Sequence, residues 1–423
     1  MNSFRILPAS LVCALSLGAG ALAEAQNPVA DWDSNTLTAV VSIAKKSPAV
    51  APVYFAYVSV AMFDAVNSID HRHRPFAVSV HAPRSASVDA AVIAAAHDVL
   101  VHYFPTQQPT LDAQQSASLA AIPDGQSKID GVLVGQAVAS NWLALRAGDG
   151  LEAPITYTPG HGPGIWEPVP TYPALPPNTP PPPVAPWLAQ FQPFALRSAD
   201  QFLDEVRPPL SLQSKAWTHD FNLTKNYGAL DSSYRTAEQT EIGRFWADHT
   251  MAQYSRAFRE LVRTQALDTD DSARLEAMSN VVFADSVVAC MNAKYHFAFW
   301  RPYTAIHDAD TDGNPDTVAD PTWIPLDVTP GHPEYPANHG CVTEALMDTL
   351  SEFFETDEVP YTVTSAVTGT THQFTSFEDV VREVDQARIF GGMHFRHSVK
   401  EGNRLGRRVA DYILAHHFKD HGG

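Results

Sequence analysis

Lys294 and Arg301 lie seven residues apart in NAKYHFAFWRPYTAI, and no Asp or Glu occurs from Ser286 to His307. Their neighbours Tyr295, Phe297, Phe299, Trp300 and Tyr303 imply partial burial. A buried cation without a partner is costly, so something must compensate it, whether a bound anion or a carboxylate distant in sequence. On a helix this spacing is about two turns, with backbones roughly 10 Å apart, so both side chains can reach one small anion. A second stretch, HPEYPANHGC, sets His332 and His339 around Pro333 and Pro336. Proline fixes its own φ and restricts the residue before it, so these imidazoles are held stiffly, as a proton donor or acceptor requires. A third stretch, ARIFGGMHFRHS, carries Arg388, Gly391, Gly392 and His394. Its glycines let backbone come close to a ligand and break helix phase.

Together these residues suit an oxyanion held by three cations, one imidazole bonding its central atom and another moving protons. Each also has an ordinary explanation. The cations could be solvated, Arg388 could pair with Asp385 or Glu383, His394 could be a satisfied core residue, and His332 an exposed loop residue.

The three stretches, in this order, resemble the vanadium-dependent haloperoxidase and type 2 phosphatidic acid phosphatase superfamily. Lys294-x6-Arg301-Pro302 matches that family's first motif. Tyr335–His339 corresponds to its Pro-Ser-Gly-His motif with Pro336 and His339 kept, and Ala387-Arg388-x5-His394 to its Ser-Arg-x5-His motif. Ala337 stands in place of the serine, Asn338 in place of the glycine, and Ser398 where Asp often follows. Looser similarity extends to AMFDAVNSI and RTAEQTEIGRFWAD.

The resemblance implies vanadate bound through His394, with Lys294, Arg301 and Arg388 neutralising its oxo groups. Asn338, Gly391 and Gly392 would approach it, and His339 would be the acid–base group. Hydrogen peroxide and halide would be the substrates, with a small organic acceptor. His332 resembles a histidine of the vanadium bromoperoxidases, which tilts the reading to bromide and iodide. The same pocket implies an alternative, a periplasmic acid phosphatase without cofactor. There His394 would attack phosphorus of a phosphate group and His339 would protonate the leaving oxygen. Ala337, which removes a hydroxyl, motivates a third reading: a secreted helical protein that binds phosphate or a partner without turnover.

The elements that must position these residues read as all-α. Residues 54–69 place Phe55, Val58, Ala61, Met62, Ala65 and Val66 on one helical face. Helical patterns follow at 86–103, 130–147, 210–227, from Arg235, 254–267, 271–300 and 377–416, the last broken at Gly391-Gly392. Thr236 and Gln239 form a capping box. The resemblance implies helical bundles of the haloperoxidase and acid phosphatase type. Residues 158–193 are too rich in proline for helix, yet carry Trp166, Tyr172, Trp187 and Phe191, so an extended arm lying on the helical body is expected. The division is 1–25 signal peptide, 26–157 N-terminal helical region, 158–193 arm and 194–423 the region carrying the oxyanion site.

The first residues show Arg5, an apolar run to Leu22 and small residues at Ala23 and Ala25, the pattern of an export signal. The expected setting is the periplasm or the medium, with no membrane span. A net charge of −19 disfavours nucleic acid as a partner. The sequence leaves a homo-oligomer open. It also leaves open whether Cys290 and Cys341 are free or joined. HDADTDGNPDTVADP begins like a calcium loop, with Asp308, Asp310, Asp312, Asn314 and Asp316 as candidate ligands. Ala319 stands where that loop needs Glu, so a polar turn is the alternative.

Overall fold

The computed structural model describes residues 27–169 and 182–421; the signal-like residues 1–25 and Tyr172 lie outside them. The all-α class holds. The described helices are α1 (Pro28–Leu37), α2 (Ala51–Asp70), α3 (Val88–Tyr103), α4 (Gln108–Ala120), α5 (Gln126–Leu145), α6 (Lys215–Gly228), α7 (Ala237–Phe245), α8 (Thr250–Thr264), α9 (Thr269–Phe297), α10 (Pro302–His307), α11 (Asn338–Phe354), α12 (Phe377–Phe390) and α13 (Arg396–His416). The described sheet is one antiparallel hairpin, β1 (Tyr361–Thr364) and β2 (Thr371–Phe374), with Tyr361 opposite Phe374. The sequence analysis anticipated neither the hairpin nor α1, α4 and α11.

α9 is the spine. It packs on α2 to one side and on α11 and α13 to the other, so both groups of helices share it. α2 is buried from Ala51 through Ile69, not along one face as its periodicity predicts. Its polar residues are absorbed by bonding: the Asp64 carboxylate accepts the backbone N–H groups of Phe76, Ala77 and Val78, and Asn67 donates to Phe63 O at 2.9 Å. The expected capping box at Thr236 and Gln239 is formed. No helix among the described residues is long and apolar enough to cross a membrane.

Lys294 and Arg301 do not share a continuous helix. α9 stops at Phe297, Ala298 takes a left-handed conformation (φ 47°), and Arg301 caps the start of α10. The chain bends where a straight helix was expected. The turn is clamped by the Pro-rich stretch: Trp166 N donates to Ala298 O at 2.7 Å, and Trp300 N donates to Gly164 O at 3.2 Å. Trp166, Trp187 and Phe191 are all buried.

Two close approaches fix the other motifs. A Cβ on Gly406 of α13 would stand 2.0 Å from Cys341 O, and one on Gly402 would stand 2.4 Å from Ala337 O. Only glycine lets α13 lie so tightly on the first turn of α11, which carries Asn338 and His339. Between α12 and α13, Gly392 adopts φ 72° against the Gly228 carbonyl, and this turn delivers His394. Cys290 and Cys341 are free and buried.

Candidate active site

A cavity of about 330 Å³ opens among the three motif segments. Its wall includes His332, Asn338, His339, Arg388, Met393 and His394, with Trp246, Phe283 and Val342 as apolar lining. Ala49 and Val184 also line it, the latter from the Pro-rich stretch. Val184 is tied down there, its N–H donating to Gly331 O at 2.8 Å and its carbonyl accepting the Tyr295 hydroxyl at 2.6 Å.

Lys294 and Arg301 stand one layer out, fully buried, and hold the lining in place. Lys294 Nζ donates to Pro333 O at 3.0 Å and to Glu334 O at 2.9 Å. The Arg301 guanidinium is a clamp between segments. Its Nε donates to His332 O at 3.0 Å, and its Nη1 to Met393 O at 3.0 Å. Nη1 also donates to His394 Nε2 at 3.2 Å, and Nη2 to His332 Nδ1 at 3.0 Å. Arg388 faces the cavity itself. Its Nη1 donates to Trp246 O at 2.9 Å, and its buried Nε has no partner. It pairs with neither Asp385, which accepts from Asn403, nor Glu383, which accepts from Trp246 Nε1 and His372. Burial draws Lys294 down to about 8 and Arg301 and Arg388 to about 10, all still cationic at neutral pH.

The hydrogen bonds assign the tautomer of His394. A guanidinium can only donate, so His394 Nε2 is an acceptor and its proton sits on Nδ1. That Nδ1–H donates to Glu334 Oε1 at 2.8 Å, and the same oxygen accepts Phe395 N–H at 3.1 Å. Carboxylate–imidazole pairing of this kind orients a metal-ligating histidine and raises its basicity. His332 Nδ1 lies 3.0 Å from the Arg301 Nη2 donor and 3.1 Å from the Pro333 carbonyl acceptor, two contacts that favour opposite tautomers. His332 is buried, not the exposed loop residue that was one expectation. All three imidazoles are held well below the usual histidine value, first by desolvation. Lys294 and Arg301 add to this at His332, and Arg388 contributes as well at His339 and His394. They are neutral at pH 7. The Glu334 carboxyl is pushed up to about 7 by burial, against the pull of Lys294 and Arg301.

Glu334 was missed in reading the sequence, although PEYP sits inside the second motif and buried cations demand a buried acid. Asp327 was missed too. It lines the cavity near Arg388, and burial raises its carboxyl while Arg388 opposes the rise. Thr250, whose Oγ1 lies 3.4 Å from His339 Nε2, carried no sequence signal.

The candidate calcium loop is corrected. Asp312 is buried and spends its carboxylate on Asn314 N–H, the Thr317 hydroxyl and Trp217 Nε1. Asn314 donates to Leu212 O and Thr218. Asp308, Asp310 and Asp316 face solvent and do not converge with Asp312. Among the described residues, the acidic groups gathered closely enough for a cation are Asp268, Asp270 and Asp271, at the start of α9.

Comparison with known proteins joins this geometry to a family. A family model, the VCPO second helical-bundle domain, matches residues 274–422. Vanadium chloroperoxidase of Curvularia inaequalis is 25% identical over 264 residues, covering 52% of this chain and 43% of that protein, so the match spans less than half of the relative. Both matches support the vanadium haloperoxidase and type 2 phosphatidic acid phosphatase superfamily, with the family model over residues 274–422 carrying the argument. The fold agrees along almost its whole length. A structure titled as the first bacterial vanadium-dependent iodoperoxidase superposes with a TM-score of 0.77 at 20% identity, over 94% of this chain and 98% of that one. A holo-type bacterial vanadium-dependent chloroperoxidase superposes with a TM-score of 0.69 at 16% identity, over 92% and 95%.

The cavity fits a small oxyanion. Arg388 lines the cavity with its buried Nε unpartnered, and Lys294 and Arg301 stand behind the lining. The α11 N-terminus opens beside the cavity, where unpaired N–H groups and the helix dipole favour negative charge. Ala337 caps α11 with no side-chain bond, and its methyl packs against Ile389 and Val399.

Proposed function

We propose that the protein is a vanadate-dependent haloperoxidase oxidising halide with hydrogen peroxide. The observation that carries this reading is the tautomer of His394, a cavity-lining residue whose proton is engaged by Glu334 and whose Nε2 lone pair is left as an acceptor, taken by Arg301. His394 would hold the vanadium in place of its Arg301 hydrogen bond. Lys294, Arg301 and Arg388 would balance the oxo charge, with Asn338 and the α11 N-terminus donating. Vanadate, when bound, supplies a Lewis acid that polarises peroxide.

The chain does the proton work. His339 is neutral and lines the cavity, so it is ready to accept a proton from hydrogen peroxide and return it to the oxygen that departs as water. Trp246, Phe283 and Val342 lower the local polarity and strengthen every charge interaction there. For halide we favour bromide and iodide. His332 puts a polar imidazole in the wall, and the iodoperoxidase of similar fold supports the same side. The signal-like first residues support a place outside the cytoplasm.

The test is a set of parallel assays on purified protein. With orthovanadate and peroxide we expect oxidation of iodide and bromide above chloride, blocked by phosphate. Phosphate-ester hydrolysis without vanadate, inhibited by vanadate and lacking halide oxidation, would establish the phosphatase instead. Anion binding with neither activity would leave a non-catalytic binder.

A further inference from the structure

The residue between the Gly392 turn and His394 is a methionine. Met393 is only 4% exposed, yet it forms part of the cavity wall beside Arg388 and His394. Its Sδ accepts a weak hydrogen bond from Arg388 Nη2 at 3.5 Å, while its carbonyl accepts from Arg301. The other described methionines, Met62, Met251, Met278, Met291 and Met347, are buried and do not line this cavity. A soft thioether is therefore fixed where the proposed chemistry releases its oxidant.

We propose that Met393 is a modification site: hypohalous acid formed in the cavity oxidises it to the sulfoxide, and the sulfoxide turns the enzyme down. This rests on the haloperoxidase reading. The sulfur lone pair attacks the halogen, forming an S–X bond and releasing hydroxide. Water then adds its oxygen to sulfur, halide leaves and two protons are lost. The net change is thioether plus HOX giving sulfoxide, halide and one proton. Sulfur loses two electrons and the halogen gains them.

The consequence follows from the hydrogen bond already present. A thioether is a weak acceptor, whereas a sulfoxide oxygen is polar and strong. It would engage Arg388, the cavity-lining cation whose buried Nε otherwise has no partner. The oxyanion then loses a donor. Because methionine sulfoxide is enzymatically reducible, the change is reversible.

The experiment follows vanadate-loaded protein through turnover with peroxide and bromide, recording halogenation rate and peptide mass together. We expect the peptide bearing Met393 to gain one oxygen atom ahead of the core methionines, with the rate falling in proportion to the oxidised fraction. Peroxide without bromide should oxidise it far more slowly. Met393→Leu should hold its own starting rate longer than wild type. Sustained halogenation with Met393 unmodified, or modified no faster than the core methionines, overturns the proposal while leaving the function intact. No halide oxidation at all defeats the function itself, and the proposal with it.

Discussion

His394→Ala should leave the protein unable to retain vanadate. In the proposed site this imidazole would hold the vanadate, and its Nε2 lone pair is preset by Glu334 on the far side of the ring. The cations alone would hold a tetrahedral anion only by charge and hydrogen bonds. The loss in vanadate affinity should exceed the ~10–100-fold typical of altering an outer-layer partner of a ligand. Halide oxidation should vanish with it. His339→Ala is the contrast. It removes a proton carrier and leaves the ligand in place, so vanadate content should be nearly unchanged while turnover falls by about 10²–10⁴-fold. Vanadium content after gel filtration, measured beside halogenation rate, separates the two. Equal behaviour of the variants would mean the roles are misassigned.

Glu334→Ala should weaken vanadate binding by about 10–100-fold, the range seen when a carboxylate behind a ligating histidine is removed. Several losses coincide. The ring of His394 loses the acceptor that fixes its orientation and tautomer. Phe395 N–H loses its partner at the entry to α13. The buried cations Lys294 and Arg301 lose the acid that offsets them. Glu334→Gln should cost less, because the amide oxygen can still accept from Nδ1–H. The separation between the two variants therefore measures orientation against charge. Equilibrium titration with orthovanadate reads the effect directly, and circular dichroism at matched concentration shows whether the helices persist. Glu334→Ala binding vanadate as tightly as wild type would remove Glu334 from the account.

The residues gathered in and behind the cavity were legible in the sequence because chemistry constrains residue type. Cations without acidic neighbours, imidazoles framed by proline and a Gly-Gly break are all visible in one dimension. What positions them was less visible. The pair Lys294 and Arg301 was expected on one helix face, but Ala298 reverses the chain, and nothing local in FAFWRP marks a left-handed residue. Glu334 pairs with His394 across sixty residues, a contact that no periodicity encodes. α11, Asn338–Phe354, is hidden by its proline-rich entry and by an Ala337 N-cap that offers no side-chain start signal. The polar residues of α2 made it look amphipathic, but Asp64 and Asn67 are buried because distant backbone groups satisfy them. The calcium pattern misled for the opposite reason: its spacing also suits a turn that satisfies itself.

The most direct test is a calorimetric titration of the wild-type chain with orthovanadate, repeated in excess phosphate. The account predicts one vanadate bound per chain, displaced by phosphate. No binding, or weak binding at several places that phosphate leaves untouched, would show that the cavity between His339, Arg388 and His394 is not built for an oxyanion.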